Sequence, residues 1–185
     1  LSAKSIKNIH GVLHKALKQA VLIGYLRTNP TEACILPRII RKEMHPLEED
    51  QVAVFLREVQ GHPHEYLYKI ALFTGLREGE VLGLGWEHID FQAGTLTVKR
   101  QLRREQKKGG EYYFSPPKNN KSRCLTLAPS VIQLFRLQKL EQNSMRMEAG
   151  DAWEEHGLIF TNQTGGYLSY RTVYDCFKRI VRNIG

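Results

Sequence analysis

The sequence has few cysteines and no long apolar run. The three cysteines are far apart and include no CxxC pair, so neither a disulfide framework nor a zinc site is indicated. No stretch approaches the roughly 18 apolar residues that a membrane span requires. The basic N-terminus also lacks the apolar block of a secretory signal. We therefore expect three reduced thiols in a cytoplasmic protein, with no metal site and no membrane association.

Several common catalytic motifs are also missing. The sequence contains no GxxxxGK[ST] phosphate loop, no HExxH zinc motif and no GxSxG nucleophile elbow. The glycines between residues 75 and 85 follow a helical pattern rather than a strand, which disfavours a dinucleotide-binding turn. A Ser-His-Asp catalytic site stays open despite the missing GxSxG motif, because such sites also occur on folds without that motif.

Positive charge is abundant and unevenly distributed. The 185 residues carry 27 Lys and Arg against 19 Asp and Glu, a net charge of +8. Residues 1–46 contribute +6, residues 47–90 contribute −6, and residues 91–128 contribute +7. Segregated positive charge indicates a polyanion partner, with nucleic acid first. A basic surface without any partner explains the charge alone equally well.

Hydrophobic periodicity predicts a mainly helical chain with one small antiparallel sheet. A helix over 3–26 has an apolar face that needs partner helices, and none precedes it, which suggests an excised fragment. A proline-rich, extended segment follows over 27–46. Further helices are predicted over 47–60, 62–76, 78–86, 129–147 and 169–185. The three strands of the sheet are predicted over 95–102, 111–115 and 123–127.

Two basic features are candidates for chemistry. Arg77 lies among apolar residues, and Glu80 three positions later is placed to orient its guanidinium toward a phosphate. The alternative is an ordinary helix-surface ion pair worth under ~1 kcal/mol. Lys118 lies between two predicted strands in a basic, proline-flanked hairpin that can reach a groove of DNA. The alternative for Lys118 is a solvated surface lysine.

Two stretches resemble the tyrosine recombinase, or phage integrase, family. ALFTGLREGEVLGLGWEHIDFQAGTLTVKR contains the family box T-G-x-R-x-x-E-x-x-x-L-x-W-x-x-I-D followed by a strand. SPPKNNKSRCLTLAP has a lysine directly after proline, then serine and arginine before a strand. Weaker likeness near both ends extends the resemblance over nearly the whole chain. The matching residues are Thr74, Gly75, Arg77, Glu80, Leu84, Trp86, Ile89, Asp90, Pro117, Lys118, Ser122 and Arg123.

The resemblance implies a fold and an activity. The fold is the N-terminal part of a helical catalytic domain of the DNA breaking-rejoining type over 47–185, mainly α, with a small three-stranded antiparallel sheet. Residues 1–36 are implied to be the end of a core-binding domain, and residues 37–46 a linker. The activity is integration or recombination of double-stranded DNA at specific sites through a 3′-phosphotyrosyl intermediate. The family uses neither metal nor ATP, so no cofactor is expected.

The same resemblance implies roles for individual residues. Arg77 is the first catalytic arginine, on the scissile phosphate, and Lys118 is the general acid for the 5′-oxygen. Lys121 is second in rank for the lysine role, and Glu80 supports Arg77. Four lysines lie on one wedge of the first helix, opposite its apolar face, where they are either solvated surface or phosphate contacts. The implied DNA-binding residues are Lys4, Lys7, Lys15, Lys18, Arg41, Lys42, Arg100, Lys121 and Arg123.

The sequence departs from the family in two ways. Tyr167 stands where proline is usual, which is a mild change. More seriously, none of the seven histidines has an arginine three residues later, as the family's second box requires, and no tyrosine has the context of the nucleophile. We therefore expect a chain that binds DNA as a monomer without cleaving it, from a parent that works as a homotetramer on DNA. One alternative is a non-catalytic DNA-binding regulator or truncated recombinase relative. Another is a general nucleic-acid-binding protein whose likeness to the box is chance.

Overall fold

A computed structural model describes residues 1–40, 46–107, 109–118 and 120–184 of the chain. The chain divides into two compact units, Leu1–Pro46 and Leu47–Gly185. The domain assignment and the linker over 37–46 stay predictions.

In its described residues, the first unit has one long helix and a short turn. Helix α1 spans Ala3–Leu22 and ends earlier than the periodicity predicts, because Gly24 adopts a left-handed φ of 82° just beyond it. His10 and His14, one turn apart on α1, hydrogen-bond the backbone oxygen and the hydroxyl of Thr31 at 3.0 and 2.9 Å. These bonds fix the 3₁₀ turn Pro30–Ala33 against the helix. On the apolar face of α1, Ile9 is 58% exposed and Leu13 is 49% exposed.

The second unit is a set of helices around two small antiparallel sheets. Helix α2 packs against α6, and α3 packs against α5. The hydroxyl of Tyr68 on α3 also donates a 2.8 Å hydrogen bond to the carbonyl of Val173 on α6. The helices are α2 (Glu49–Glu58), α3 (Glu65–Thr74), α4 (Glu78–Leu82), α5 (Pro129–Ala149) and α6 (Tyr170–Ile184).

The strands divide differently from the single sheet that the sequence predicts. Strand β1 (Ile89–Asp90) pairs with β2 (Thr95–Val98), which pairs with β5 (Arg123–Thr126). Strands β3 (Gln101–Arg104) and β4 (Tyr112–Ser115) form a separate hairpin. The stretch over 95–102 is therefore not one strand. It breaks at residues 99–100, where the Arg100 side chain turns back to the carbonyl of Gly83 at 2.9 Å. The mainly helical fold with small antiparallel sheets is confirmed.

A contiguous core joins the helices of the second unit to the three-stranded sheet. The strand faces alternate as expected, with Leu96 and Val98 buried between exposed or half-buried neighbours. Two buried glutamines of α5 hydrogen-bond polar groups that burial would otherwise leave unsatisfied. The Gln138 amide donates to the carbonyl of Ile159, and Gln142 accepts from the indole N–H of Trp86. Further core residues are Phe55, Val59, Ile70, Val81, Leu84 and Phe135.

Close packing between α4 and β3 fixes the position of the short helix. A Cβ placed on Gly83 would come within 2.8 Å of the backbone nitrogen of Leu102 and 3.0 Å of the backbone carbon of Gln101. These contacts are with backbone atoms, so a side chain at Gly83 can be accommodated only if β3 moves. The spacing between α4 and the β3–β4 hairpin therefore requires glycine at this position.

We predict that Gly83→Ala lowers the free energy of unfolding by about 1–3 kcal/mol, because the added methyl overpacks the α4–β3 contact. Urea unfolding monitored by circular dichroism measures the effect. Gly11→Ala is the control, since a Cβ there meets nothing within 4 Å and helix propensity favours alanine by up to ~1 kcal/mol. A Gly83→Ala protein as stable as the wild type would show that β3 yields without cost.

Candidate active site

Arg77 lies at the start of α4, directly after a chain reversal. Helix α3 ends at Thr74, and Gly75 follows in the left-handed conformation with φ 62°. Arg77 is the N-cap residue of α4, and its carbonyl accepts the first hydrogen bonds of the helix. Its side chain is 66% exposed. The backbone around Arg77 is thus fixed while its guanidinium reaches solvent.

Glu80 is a buried carboxylate one turn into the same helix. Its side chain is 1% exposed, and its Oε2 accepts a 2.9 Å hydrogen bond from the backbone N–H of Arg77. This is the carboxylate half of a capping box, which explains why glutamate suits the third position of the helix. Its Oε1 accepts from Nη1 of Arg77 at 3.2 Å. The predicted pairing of Glu80 with Arg77 is present in the structure.

A second arginine makes shorter contacts with the same carboxylate. Arg123, the first residue of β5, donates from Nη1 to Oε1 of Glu80 at 2.9 Å and from Nη2 to Oε2 at 2.7 Å. This is the two-point geometry that an arginine fork makes with a carboxylate. Sequence reasoning assigned Arg123 to DNA and missed this pairing. The available signal was strand alternation, which puts Arg123 on the same face of β5 as Leu125.

The two arginines keep Glu80 ionised. The hydrogen bonds from Arg123 are the largest cause and lower the pKa of Glu80 to about 2, against the opposing effect of burial; the backbone N–H of Arg77 lowers it further. The same contact raises the pKa of Arg123. Two cations therefore share one anion. The group keeps one net positive charge, and Arg77 is its more exposed member.

Lys118 lies in an exposed loop between the two sheets. The prediction put it at the tip of a hairpin, but β4 pairs with β3 and β5 pairs with β2, so its loop crosses from one sheet to the other. The loop is anchored at one end by the amide of Gln101, which donates to the carbonyl of Pro116 at 2.6 Å. Next to Lys118, Pro117 is buried and its carbonyl accepts from the N–H of Asn120 at 2.8 Å.

The other predicted DNA contacts are in varied surroundings. The guanidinium of Arg100 already contacts other residues of the protein. It donates to the carbonyl of Gly83, forms an ion pair with the carboxylate of Glu87 at 3.1 Å, and lies 4.1 Å from the centre of the Phe114 ring. Lys121 is exposed near Lys118. In the first unit, Lys7 is half-buried and the three other lysines of its wedge are exposed: Lys4, Lys15 and Lys18. Arg41 and Lys42 lie outside the described residues. Their DNA-binding roles stay predictions.

An aromatic cluster supports the β3–β4 hairpin from one side. The ring of Tyr167 stacks on that of Tyr112, with 5.2 Å between the ring centres, and lies 6.1 Å from the ring of Phe114. The ring of His156 also packs against Tyr167, with 4.5 Å between the ring centres. The neighbouring Tyr113 points to the opposite face of β4 and is 44% exposed. Tyr167, which stands where the family usually has proline, thus packs against the hairpin that precedes the Lys118 loop.

Comparison with known proteins identifies the family. The model of the phage integrase family matches residues 45–185, which is most of the chain. The chain belongs to the phage integrase family. Among curated proteins, it is 27% identical over 200 residues to a tyrosine recombinase XerC-like protein of Caldanaerobacter subterraneus subsp. tengcongensis and 28% identical over 191 residues to an integrase of Streptomyces ambofaciens. These matches cover 100% and 99% of the chain but 51% and 48% of the relatives.

Solved structures of integrases have the same fold. A Tn1549 transposon integrase in complex with transposon right end DNA superimposes with a TM-score of 0.84 at 26% identity, covering 99% of this chain and 59% of that one. A lambda integrase dimer bound to a COC′ core site gives 0.63 at 20% identity, covering 99% and 46%. The chain spans about half the length of the curated relatives it matches.

No described helix is long and apolar enough to cross a membrane. Over the same parts of the chain, no group of three or more His, Cys, Asp and Glu side chains is arranged to hold a metal ion. Cys34 and Cys124 are exposed thiols, and Cys176 is a half-buried one.

We predict that Glu80 makes the stability of the chain depend on pH in the acid range. The pKa of Glu80 in the folded protein is about 2, below the ordinary value of 4.5. The ionised carboxylate therefore adds its full share to the free energy of unfolding above pH 4.5, and this share is lost as the pH falls toward 2. The difference in unfolding free energy between wild type and Glu80→Gln should therefore be larger at pH 7 than at pH 3. Glu148→Gln, on the exposed side of α5, is the control. An equal difference at both pH values would contradict the low pKa.

We also predict that Tyr167→Ala loosens the β3–β4 hairpin, because one ring supports both Tyr112 and Phe114. Amide hydrogen exchange should speed up in β3 and β4 and stay unchanged in β2 and β5. Tyr113→Ala is the matched control on the opposite face of the hairpin. Unchanged protection of β3 and β4 in Tyr167→Ala would show that strand pairing alone holds the hairpin.

Proposed function

We propose that this chain is part of a site-specific DNA recombinase that cuts and rejoins DNA, and that Arg77 binds the scissile phosphate. The observation that supports the proposal is the group formed by Arg77, Glu80 and Arg123. A buried carboxylate fixes the backbone and one Nη of Arg77, while the rest of its guanidinium is exposed. A guanidinium held in this way matches the two-point geometry of a phosphate with little loss of freedom on binding.

The proposed reaction is a transesterification through a 3′-phosphotyrosyl intermediate. A tyrosine hydroxyl attacks the phosphorus of a phosphodiester, the bond to the 5′-oxygen breaks, and the 5′-oxygen takes a proton. Arg77 stabilises the charge that builds on the non-bridging oxygens. Lys118 is proposed to supply the proton to the leaving 5′-oxygen, as the exposed lysine of a loop anchored at Gln101. No residue of this chain is assigned as the nucleophile.

Double-stranded DNA at a specific site is the proposed partner. The lysine wedge of α1 and the exposed Lys121 carry positive charge suited to phosphates, which supplies affinity rather than base recognition. The likeness to a Tn1549 transposon integrase in complex with transposon right end DNA supports this assignment. We propose that this chain binds DNA as a monomer, that its full-length parent acts as a homotetramer on DNA, and that both belong to a mobile element acting in the cytoplasm.

A non-catalytic DNA-binding role is the second candidate. In that case Arg77 and Lys118 anchor phosphates without any bond breaking. The two candidates differ in whether a covalent bond to DNA ever forms.

We predict that Arg77→Ala weakens binding of a short duplex by about tenfold, the loss expected for one charge-assisted two-point contact. Fluorescence anisotropy at fixed salt measures the affinity, and a thermal melt checks the fold. Because the Arg77 side chain is mostly exposed, the melting temperature should change little. Arg136→Ala, an exposed arginine of α5, is the matched control for loss of charge. A large drop in melting temperature with unchanged affinity would make Arg77 a structural ion pair.

We predict that the 185-residue chain forms no covalent adduct with DNA, because the family's second box is absent from it. The chain is incubated with nicked duplexes that carry a recombination site of a related element, and the products are separated on a denaturing gel. A band that survives denaturation and is released by protease would contradict this prediction and exclude the non-catalytic alternative.

A further inference from the structure

We propose that Arg123 is a positioning residue that acts through Glu80 to hold Arg77 in place, rather than a contact to DNA. The inference rests on the proposed function, in which Arg77 binds phosphate. It assigns Arg123 a role that differs from the one implied by its positive charge and its place beside the basic loop.

Each oxygen of the Glu80 carboxylate is shared by both arginines. Oε1 accepts from Nη1 of Arg123 at 2.9 Å and from Nη1 of Arg77 at 3.2 Å. Oε2 accepts from Nη2 of Arg123 at 2.7 Å and from the backbone N–H of Arg77 at 2.9 Å. The shorter pair of bonds comes from Arg123, so its fork sets the plane of the carboxylate. The backbone and the guanidinium of Arg77 follow that plane.

Charge reinforces this dependence. Glu80 is almost fully buried, and a buried carboxylate stays ionised only with a close cation. Arg123 is the larger cause of its low pKa, and Arg77 is the smaller one. Without Arg123, the carboxylate would rely on an arginine that is mostly in water, and its proton affinity would rise. A protonated Glu80 has one oxygen that no longer accepts from Arg77.

Arg123 also connects the two candidate catalytic groups. It is the first residue of β5, and its backbone pairs with Val98 of β2. It lies five positions after Lys118, at the end of the loop opposite the anchor between Gln101 and Pro116. The pairing with Glu80 thus ties the Lys118 loop to the helix that begins at Arg77. One carboxylate thus contacts both the residue that begins α4 and the residue that ends the Lys118 loop.

A double-variant cycle on DNA binding separates positioning from direct contact. Arg123→Gln should weaken binding of a short duplex by about fivefold, and by less than about twofold when Arg77 is already alanine, because coupled residues are not additive. Equal losses in both backgrounds would mean that Arg123 contacts DNA itself and would overturn the proposal. Arg136→Gln should show no coupling to Arg77.

A second measurement follows Arg77 directly and needs no DNA. In ¹⁵N-labelled wild-type protein, the side-chain Nε signal of Arg77 should be constant from pH 4 to pH 8, because Glu80 stays ionised. In Arg123→Gln the signal should shift and follow an ionisation within that range, since the largest cause of the low pKa is gone. An Arg77 signal unchanged in position and pH dependence would overturn the proposal. This result stands even if Arg77→Ala leaves DNA binding intact, which would instead refute the proposed function.

Arg123→Lys keeps the test usable if the glutamine variant unfolds. Lysine retains the charge but makes only a one-point contact. We expect the Arg77 signal to stay constant with pH but to move from its wild-type position, and DNA affinity to fall. A lysine variant with wild-type affinity and signal would show that charge alone, without the fork, is sufficient.

Discussion

Glu80 carries its charge where almost none of its side chain reaches water, and the surrounding structure is arranged to make this possible. A buried carboxylate is costly unless its oxygens are hydrogen-bonded and a cation is near. Here both oxygens accept two hydrogen bonds each, from Arg77 and Arg123. The contact joins the start of a helix to the start of a strand that lies 43 residues later. It therefore fixes the long-range geometry of the candidate site as well as its charge.

The elements that hold this contact are themselves tightly placed. Helix α4 has only five residues and could not stand alone, because so short a helix gains too few hydrogen bonds. It is held by Gly75 at one end and by the contact of Gly83 with β3 at the other. Just beyond it, the backbone of Leu84 accepts from the N–H of Ile159 at 3.0 Å. The position of Arg77 is thus a consequence of packing on both sides of α4.

The sequence was sufficient to predict the helices and the contact between Arg77 and Glu80, because both depend on residues that are close together in the chain. The end of α3 near Gly75 and the pairing of Glu80 with Arg77 depend on residues a few positions apart. The split of the sheet and the contact of Arg123 with Glu80 depend on pairings between distant residues, which periodicity does not encode. Tyr167 is similar: it stands out as a departure from a family pattern, but its packing under Tyr112 depends on the tertiary fold.

The charge at the site also differs from the charge of the segment that contains it. Arg77 belongs to residues 47–90, which carry a net charge of −6, an unfavourable setting for binding a polyanion. The basic segment 91–128 supplies Arg123, which pairs with the buried acid of that block and leaves Arg77 as the surplus cation. Folding therefore brings positive charge from one segment to offset negative charge in another. The group formed by Arg77, Glu80 and Arg123 therefore keeps one net positive charge within a segment that is acidic overall.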